Sequence, residues 1–256
     1  MPQPMPPETT TNPSPQPGTD GAAARTLAID IGGTGIKMIV LDADGKPLNE
    51  RARTLTPKPA SPDAVLGVIK TMVLAQPAFD RVSVGFPGIV KRGVTFSAPN
   101  LGSDFWLNFP LQAEVEAIVA RPVRVINDAD LQGYGVIQGK GVELALTLGT
   151  GLGAGLYVDG HLVPNLELGH HPWKKEKTYE ERLCDAELQE IGKKRWSARV
   201  FEMIAQLEPI FNYDVLYLGG GNAEHIKGDL PANVKIFTNV EGMAGGVKLW
   251  TTAKLV

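Results

Sequence analysis

Residues 26–41 read TLAIDIGGTGIKMIVL: an apolar strand from Thr26 to Ile31, a glycine-rich turn, and a second apolar strand from Ile36 to Leu41. Glycines at 32, 33 and 35 carry no Cβ, so successive backbone N–H groups can converge on an anion while the Thr34 hydroxyl adds a donor. A turn of this kind between two strands suits a β-hairpin phosphate clamp. The chain holds no GxxxxGK[ST], so the common P-loop is excluded. Asp30, at the tip of its strand, is suited to holding a magnesium ion through water. Lys37 has two readings, neutralisation of phosphate charge or an ordinary surface lysine.

Outward from this hairpin, Asp44-Gly45 marks a turn and Leu48–Leu55 is expected to return as a third strand. Ser61 should cap a helix whose apolar positions Val65, Val68, Ile69, Met72 and Val73 recur at helical spacing. Arg81–Phe86 and Val123–Ile126 read as strands, with a helix over Pro110–Val119 between them. After a linking helix the pattern restarts. Glu143–Leu148 is a strand, residues 149–153 (GTGLG) a glycine turn and Ala154–Val158 a strand; helices are expected over Tyr179–Glu208. Val215–Leu218 runs into Gly219-Gly220-Gly221, Val234–Phe237 is another strand, and a last helix follows Gly242. The repetition implies two similar α/β domains around a cleft, at 26–128 and 129–256, with the last helix free to pack back on the first. Residues 1–25, rich in Pro and Thr, read as a disordered tail.

Composition narrows the partners. Of 256 residues 43% are hydrophobic and 21% charged, and the formal net charge of -3 provides no bulk field for a nucleic-acid backbone. No apolar run approaches the ~20 residues of a membrane span. The one cysteine, Cys184, excludes an internal disulfide and fits a cytoplasmic location.

Five motifs then occur in order: DIGGTGIK at 30–37, NDAD at 127–130, LTLGTGLGAGL at 146–156, ELGH at 167–170 and LGGGN at 218–222. Together they resemble the ROK family of sugar kinases, over about Leu27 to the C-terminus. VPNLELGH and the short second half are most similar to the branch that uses polyphosphate as well as ATP. The resemblance implies the actin-like (ribonuclease H-like) ATPase fold, transfer of phosphate from ATP or polyphosphate to the 6-hydroxyl of a hexose, glucose first, with Mg2+, and a homodimer. It implies a phosphate-donor site built from Asp30, Gly32, Gly33, Thr34, Gly35, Lys37, Thr147, Gly149, Thr150, Gly151, Gly220, Gly221 and Asn222. Gly220 and Asn222 would lie near the adenine or ribose of ATP.

Transfer to an alcohol needs a proton acceptor and electrostatic cover for the phosphoryl oxygens. Asp128, after a strand end, reads equally as a general base or as the cap of the next helix; the resemblance assigns it the catalytic role. By the same resemblance Asn100, Asn127, Glu167 and His170 bind sugar hydroxyls, together with Gly88 and Glu180. Many relatives hold a structural zinc through one histidine and three cysteines after the GH; with Cys184 alone, no structural zinc is expected here, and Pro172 and Trp173 are expected to order the loop by packing beneath His170. The basic run Lys174, Lys175, Lys177, Lys193, Lys194, Arg195 and Arg199 is either a solvated helix face or a track for a polyanionic donor. The rival functions are a kinase for another hexose or N-acetylhexosamine, a non-catalytic sugar sensor and an exopolyphosphatase. The sugar-binding set argues against the last.

Overall fold

The computed structural model describes residues 24–252; most of the proline-rich tail lies outside them. The first half runs β1 (Thr26–Ile31), β2 (Ile36–Leu41), β3 (Ala52–Thr54), α1 (Pro62–Val73) and β4 (Arg81–Phe86). A small hairpin of β5 (Val90–Lys91) and β6 (Val94–Thr95) follows, then α2 (Ser103–Trp106), α3 (Leu111–Val119) and β7 (Val123–Asn127). After α4 (Asp128–Val136) come β8 (Val142–Leu148), β9 (Leu152–Val158), β10 (His161–Val163) and a hairpin of β11 (Pro172–Lys174) and β12 (Lys177–Thr178). Helices α5 (Tyr179–Leu183), α6 (Asp185–Ile191) and α7 (Lys193–Phe211) precede β13 (Val215–Gly219), β14 (Val234–Ile236), α8 (Asn239–Met243) and α9 (Gly245–Thr252).

The two halves share one topology. The first sheet has the order β3-β2-β1-β4-β7 and the second β10-β9-β8-β13-β14, each five-stranded. In each, a meander of antiparallel strands leads from the edge to the centre and parallel strands follow. Parallel strands need crossover connections, so both faces are covered and the strands read as continuous apolar runs. Leu27, Ile29, Ile31, Met38, Val82, Val84 and Phe86 are buried against α1 and α3. Leu144, Leu146, Leu216 and Leu218 pack with Trp196, Val200 and Leu207 of α7.

The final helix crosses back. Val247 joins Ala28, Ile39 and Leu41 in one buried cluster, and Ser83 Oγ donates to the Gly246 carbonyl at 2.6 Å. Trp250 Nε1 donates to Ser83 Oγ, and its ring lies under the Arg124 guanidinium at 4.5 Å.

One expected element differs. The return strand is only Ala52–Thr54, because Leu48 N and the Asn49 side chain both bond Val40 and carry that stretch past β2 as a loop. The helices expected over 179–208 are three in number and run on to Phe211. Cys184 is extended, and Gly192 has φ 78, a left-handed conformation that breaks the helix at no steric cost.

Candidate active site

A cleft of about 480 Å³ opens where the parallel strands of both sheets end, the usual ligand position in open α/β sheets. It is lined by every site residue expected from the sequence: Asp30, Gly32 to Gly35, Lys37, Gly88, Asn100, Asn127, Asp128, Thr147, Gly149 to Gly151, Glu167, His170, Glu180 and Gly220 to Asn222. Arg51, Arg53, Gln132, Asp185 and Asn239 also line it and were missed by the sequence reading.

Asp128 sits at the junction of the two halves, as the first residue of α4. The cap of that helix is Asn127, whose Oδ1 accepts from the amides of Ala129 at 2.8 Å and Asp130 at 3.1 Å. Asp128 Oδ1 also accepts the Ala129 amide at 2.8 Å, so the two side chains share that donor, and Asp128 lines the cleft. Asn127 Nδ2 donates to the Gly88 carbonyl at 3.2 Å, which ties the strand end to the Pro87-Gly88 turn. Most of the Asn127 carboxamide is thus committed to protein, leaving one N–H for the cleft. Gly88 has a steric reason of its own, since a Cβ there would fall 2.0 Å from the Ser97 carbonyl oxygen.

Burial is the largest cause raising the Asp128 carboxyl, to about 7; the like charges of Asp30 and Glu167 push the same way, while the Ala129 amide and Lys37 oppose them. The residue keeps partial contact with the cleft, so a hydroxyl can reach it. A carboxyl balanced near neutral pH is suited to accepting a proton.

On one jaw, Gly32 N donates to the Gly35 carbonyl at 3.0 Å and closes the turn, and Thr56 Oγ1 anchors the Gly32 carbonyl at 2.5 Å. The second jaw repeats the device, with Gly149 N to the Gly151 carbonyl at 3.0 Å. Asn222 Nδ2 reaches the Gly149 carbonyl at 3.4 Å, and Asn222 N the Leu148 carbonyl at 2.9 Å, so the LGGGN turn is fastened to the second glycine loop. Lys37 Nζ pairs with Asp30 Oδ2 at 2.8 Å across adjacent strands.

The acceptor side surrounds the same point. Asn100 abuts the first jaw, where a Cβ on Gly33 would lie 3.0 Å from Asn100 Cβ. Glu167 and His170 form a pair at 3.7 Å at the ends of a 3-10 turn. Burial raises the Glu167 carboxyl; His170 lowers it and Glu180 adds to the rise. Glu180 Oε2 accepts the Leu152 amide at 2.9 Å, so at least one of its oxygens positions the second jaw.

The segment after His170 is ordered differently from the expectation. Trp173 stacks face to face on Tyr179 at 4.8 Å with an interplanar angle of 2°, and Arg182 lies over its other face at 4.8 Å. It is therefore packed on α5 and α7, with Nε1 donating to Gln206 Oε1 at 3.1 Å, rather than beneath His170. Pro172 starts the hairpin strand and is exposed. Three members of the basic run are paired: Lys174 with Glu202, and Lys177 and Arg199 both with Glu187. These three pairs tie the 172–178 hairpin and α6 to α7.

Among the described residues no cluster of three or more His, Cys, Asp or Glu side chains could hold a metal ion, and no helix is long and apolar enough to cross a membrane.

The ROK family pattern matches residues 26–185. A polyphosphate glucokinase of Mycobacterium tuberculosis (strain H37Ra) is 32% identical over 215 residues, 79% of this chain and 80% of the relative. That of Mycobacterium leprae is 32% identical over 220 residues, 81% and 67%. The crystal structure of an inorganic polyphosphate/ATP-glucomannokinase from Arthrobacter sp. strain KM superposes with a TM-score of 0.79 at 32% identity, covering 90% of this chain and 100% of that one.

Proposed function

The chain belongs to the ROK family of sugar kinases, and we propose that it is a glucokinase that phosphorylates the 6-hydroxyl of glucose from polyphosphate or ATP. The observation that carries the reading is Asp128, a carboxyl raised to about 7, between two glycine jaws and a set of hydroxyl-binding side chains. In this reading glucose lies against Asn100, Glu167 and His170, with the remaining N–H of Asn127 and the Gly88 turn beside its 6-hydroxyl. The donor's terminal phosphates lie across Gly32 to Gly35 and Gly149 to Gly151, whose amides offer fixed donors to the charge that spreads over the phosphoryl oxygens.

The 6-oxygen attacks the terminal phosphorus as its proton passes to Asp128. The bridging P–O bond to the donor breaks, and its electron pair leaves with ADP or a polyphosphate shortened by one unit. Closure of the halves excludes water as a competing acceptor. The residues fit a magnesium ion: Asp30 has one oxygen committed to Lys37 and a second uncommitted, and the adjacent like charge of Asp128 favours a cation there. Bound through water and donor phosphates, as Mg2+ prefers, it would neutralise charge on the transferring group.

The test crosses glucose, mannose, N-acetylglucosamine and N-acetylmannosamine with ATP and polyphosphate, measuring sugar phosphate and free phosphate. Glucose-dependent transfer is expected; release of phosphate at the same rate without sugar, or no transfer to any sugar, would refute it.

A further inference from the structure

Asp30, Lys37 and Arg53 form one row across the first sheet. Asp30 is the register partner of Lys37 on β1 and β2, and Lys37 of Arg53 on β2 and β3. Directly paired residues project to the same face of a sheet, and a residue two positions along does so too. Arg51 lies one residue before β3, two positions from Arg53, and all four residues line the cleft. Arg51 also borders a small recess beside Asp30, Asp128, Gln132 and Asn239. The row begins next to the reacting carboxyl and ends at β3, the edge strand of its sheet. Two strand spacings cover about 10 Å, so the row leads from the reaction centre to open solvent.

Charge along it is unbalanced. Lys37 is consumed by Asp30, but among the described residues Arg51 and Arg53 have no ion-pair or hydrogen-bond partner, and both are exposed. Arg53 is held over the phosphate jaw: a Cβ on Gly35 would fall 2.9 Å from Arg53 Nε and 3.4 Å from one of its terminal nitrogens. The absence of a side chain at Gly35 is what allows the guanidinium to lie across the loop. The sugar side of the cleft is the opposite in character, with Glu167 and Glu180. Guanidinium groups match phosphate oxygens with two parallel donors.

We propose that Arg51 and Arg53 form a binding site for the phosphate chain of the donor beyond its reacting end, and that this site favours a linear polyphosphate over a nucleoside triphosphate. A polyphosphate presents repeated charge along the whole row. A nucleoside triphosphate ends in an uncharged nucleoside, for which two guanidiniums are poor partners. The surface run on the α5–α7 side, another concentration of positive charge, lies outside the cleft lining, and Lys174, Lys177 and Arg199 of it are paired with Glu202 and Glu187.

The inference rests on the kinase reading, and the experiment separates the two. Wild type, R51Q/R53Q and the control K193Q/K194Q, which removes equal charge from exposed positions outside the cleft, are assayed with glucose and each donor, and titrated with long-chain polyphosphate without sugar. R51Q/R53Q should raise the polyphosphate KM and the directly measured Kd at least tenfold, with a smaller rise for ATP, and should flatten the salt dependence of the polyphosphate KM. K193Q/K194Q should match wild type. An unchanged polyphosphate Kd in R51Q/R53Q overturns the site, as does an equal loss in the control; an equal loss for ATP overturns the preference. A wild type that turns over neither donor defeats the kinase reading, while the Kd comparison still decides the site.

Discussion

If Asp128 takes the proton, activity must follow its ionisation. A base with its midpoint near 7 is half ready at pH 7, about one-tenth ready at pH 6 and about one-hundredth at pH 5, so kcat/KM should fall about tenfold per pH unit below the midpoint. Two neighbours set the position of that limb. Removing the like charge in Asp30→Asn should move it to lower pH, and removing the opposing charge in Lys37→Met should move it higher. Asp128→Asn keeps the shape of the side chain and abolishes the base, which should cost ~100-fold or more in kcat while glucose binding persists.

The same ionisation acts on stability with a definite sign. An unfolded chain releases this proton near pH 4, whereas the folded chain keeps it to about 7. Between those values the folded state binds more protons, so stability declines as pH rises and the loss is complete above 7. Asp128→Asn should therefore melt above wild type at pH 8 and level with it at pH 4. Initial rates from a quenched assay over pH 5–9, with melting curves at both ends, test the chain of reasoning. A kcat/KM that is flat from pH 5 to 8, or near-normal turnover in Asp128→Asn, would refute it.

Gly33→Ala would press a methyl group against Asn100 at 3.0 Å, so the sugar KM should rise several-fold along with the donor KM; a change confined to the donor would argue against this coupling. Trp173→Ala removes the surface between Tyr179 and Arg182. The expected result is a lower Tm, with ~1–3 kcal/mol of stability lost, faster proteolysis at the 172–178 hairpin and a larger effect on sugar KM than on kcat. Gly135→Ala should destabilise by ~1–3 kcal/mol despite the better helix propensity of alanine, because its Cβ would fall 2.1 Å from the Glu241 carbonyl oxygen. Thermal unfolding decides, and a raised Tm would contradict the close α4–α8 approach.

The fold was legible because its signals are local. Apolar runs bounded by glycine turns specify strands, and the recurrence of one order of elements implies two matching sheets. The donor jaws were legible for the same reason: DIGGTG and LGTG state in residue types what their backbones must do. Asp128 was ambiguous locally, since Asn and Asp both cap helices; in the structure Asn127 accepts the amides of Ala129 and Asp130, and Asp128 shares that of Ala129. Trp173 was misplaced because an aromatic residue in a polar loop has many possible faces to cover, and α7 supplied the partner from far along the chain.

Arg51 and Arg53 show the boundary most directly. In sequence they are two charges one residue apart, at and just before a short strand, with nothing to distinguish them from solvated charges. The position of Arg53 opposite Lys37, and so in line with Asp30, comes from strand register, a relation between residues distant in the chain. By itself the sequence determined which segments are strands, where the glycine turns fall and to which family the order of motifs belongs, because each depends on neighbouring residues. Tertiary structure alone decided which charges stay unpaired in the cleft and how far the Asp128 carboxyl is raised, because burial and through-space charge depend on what the rest of the chain brings near.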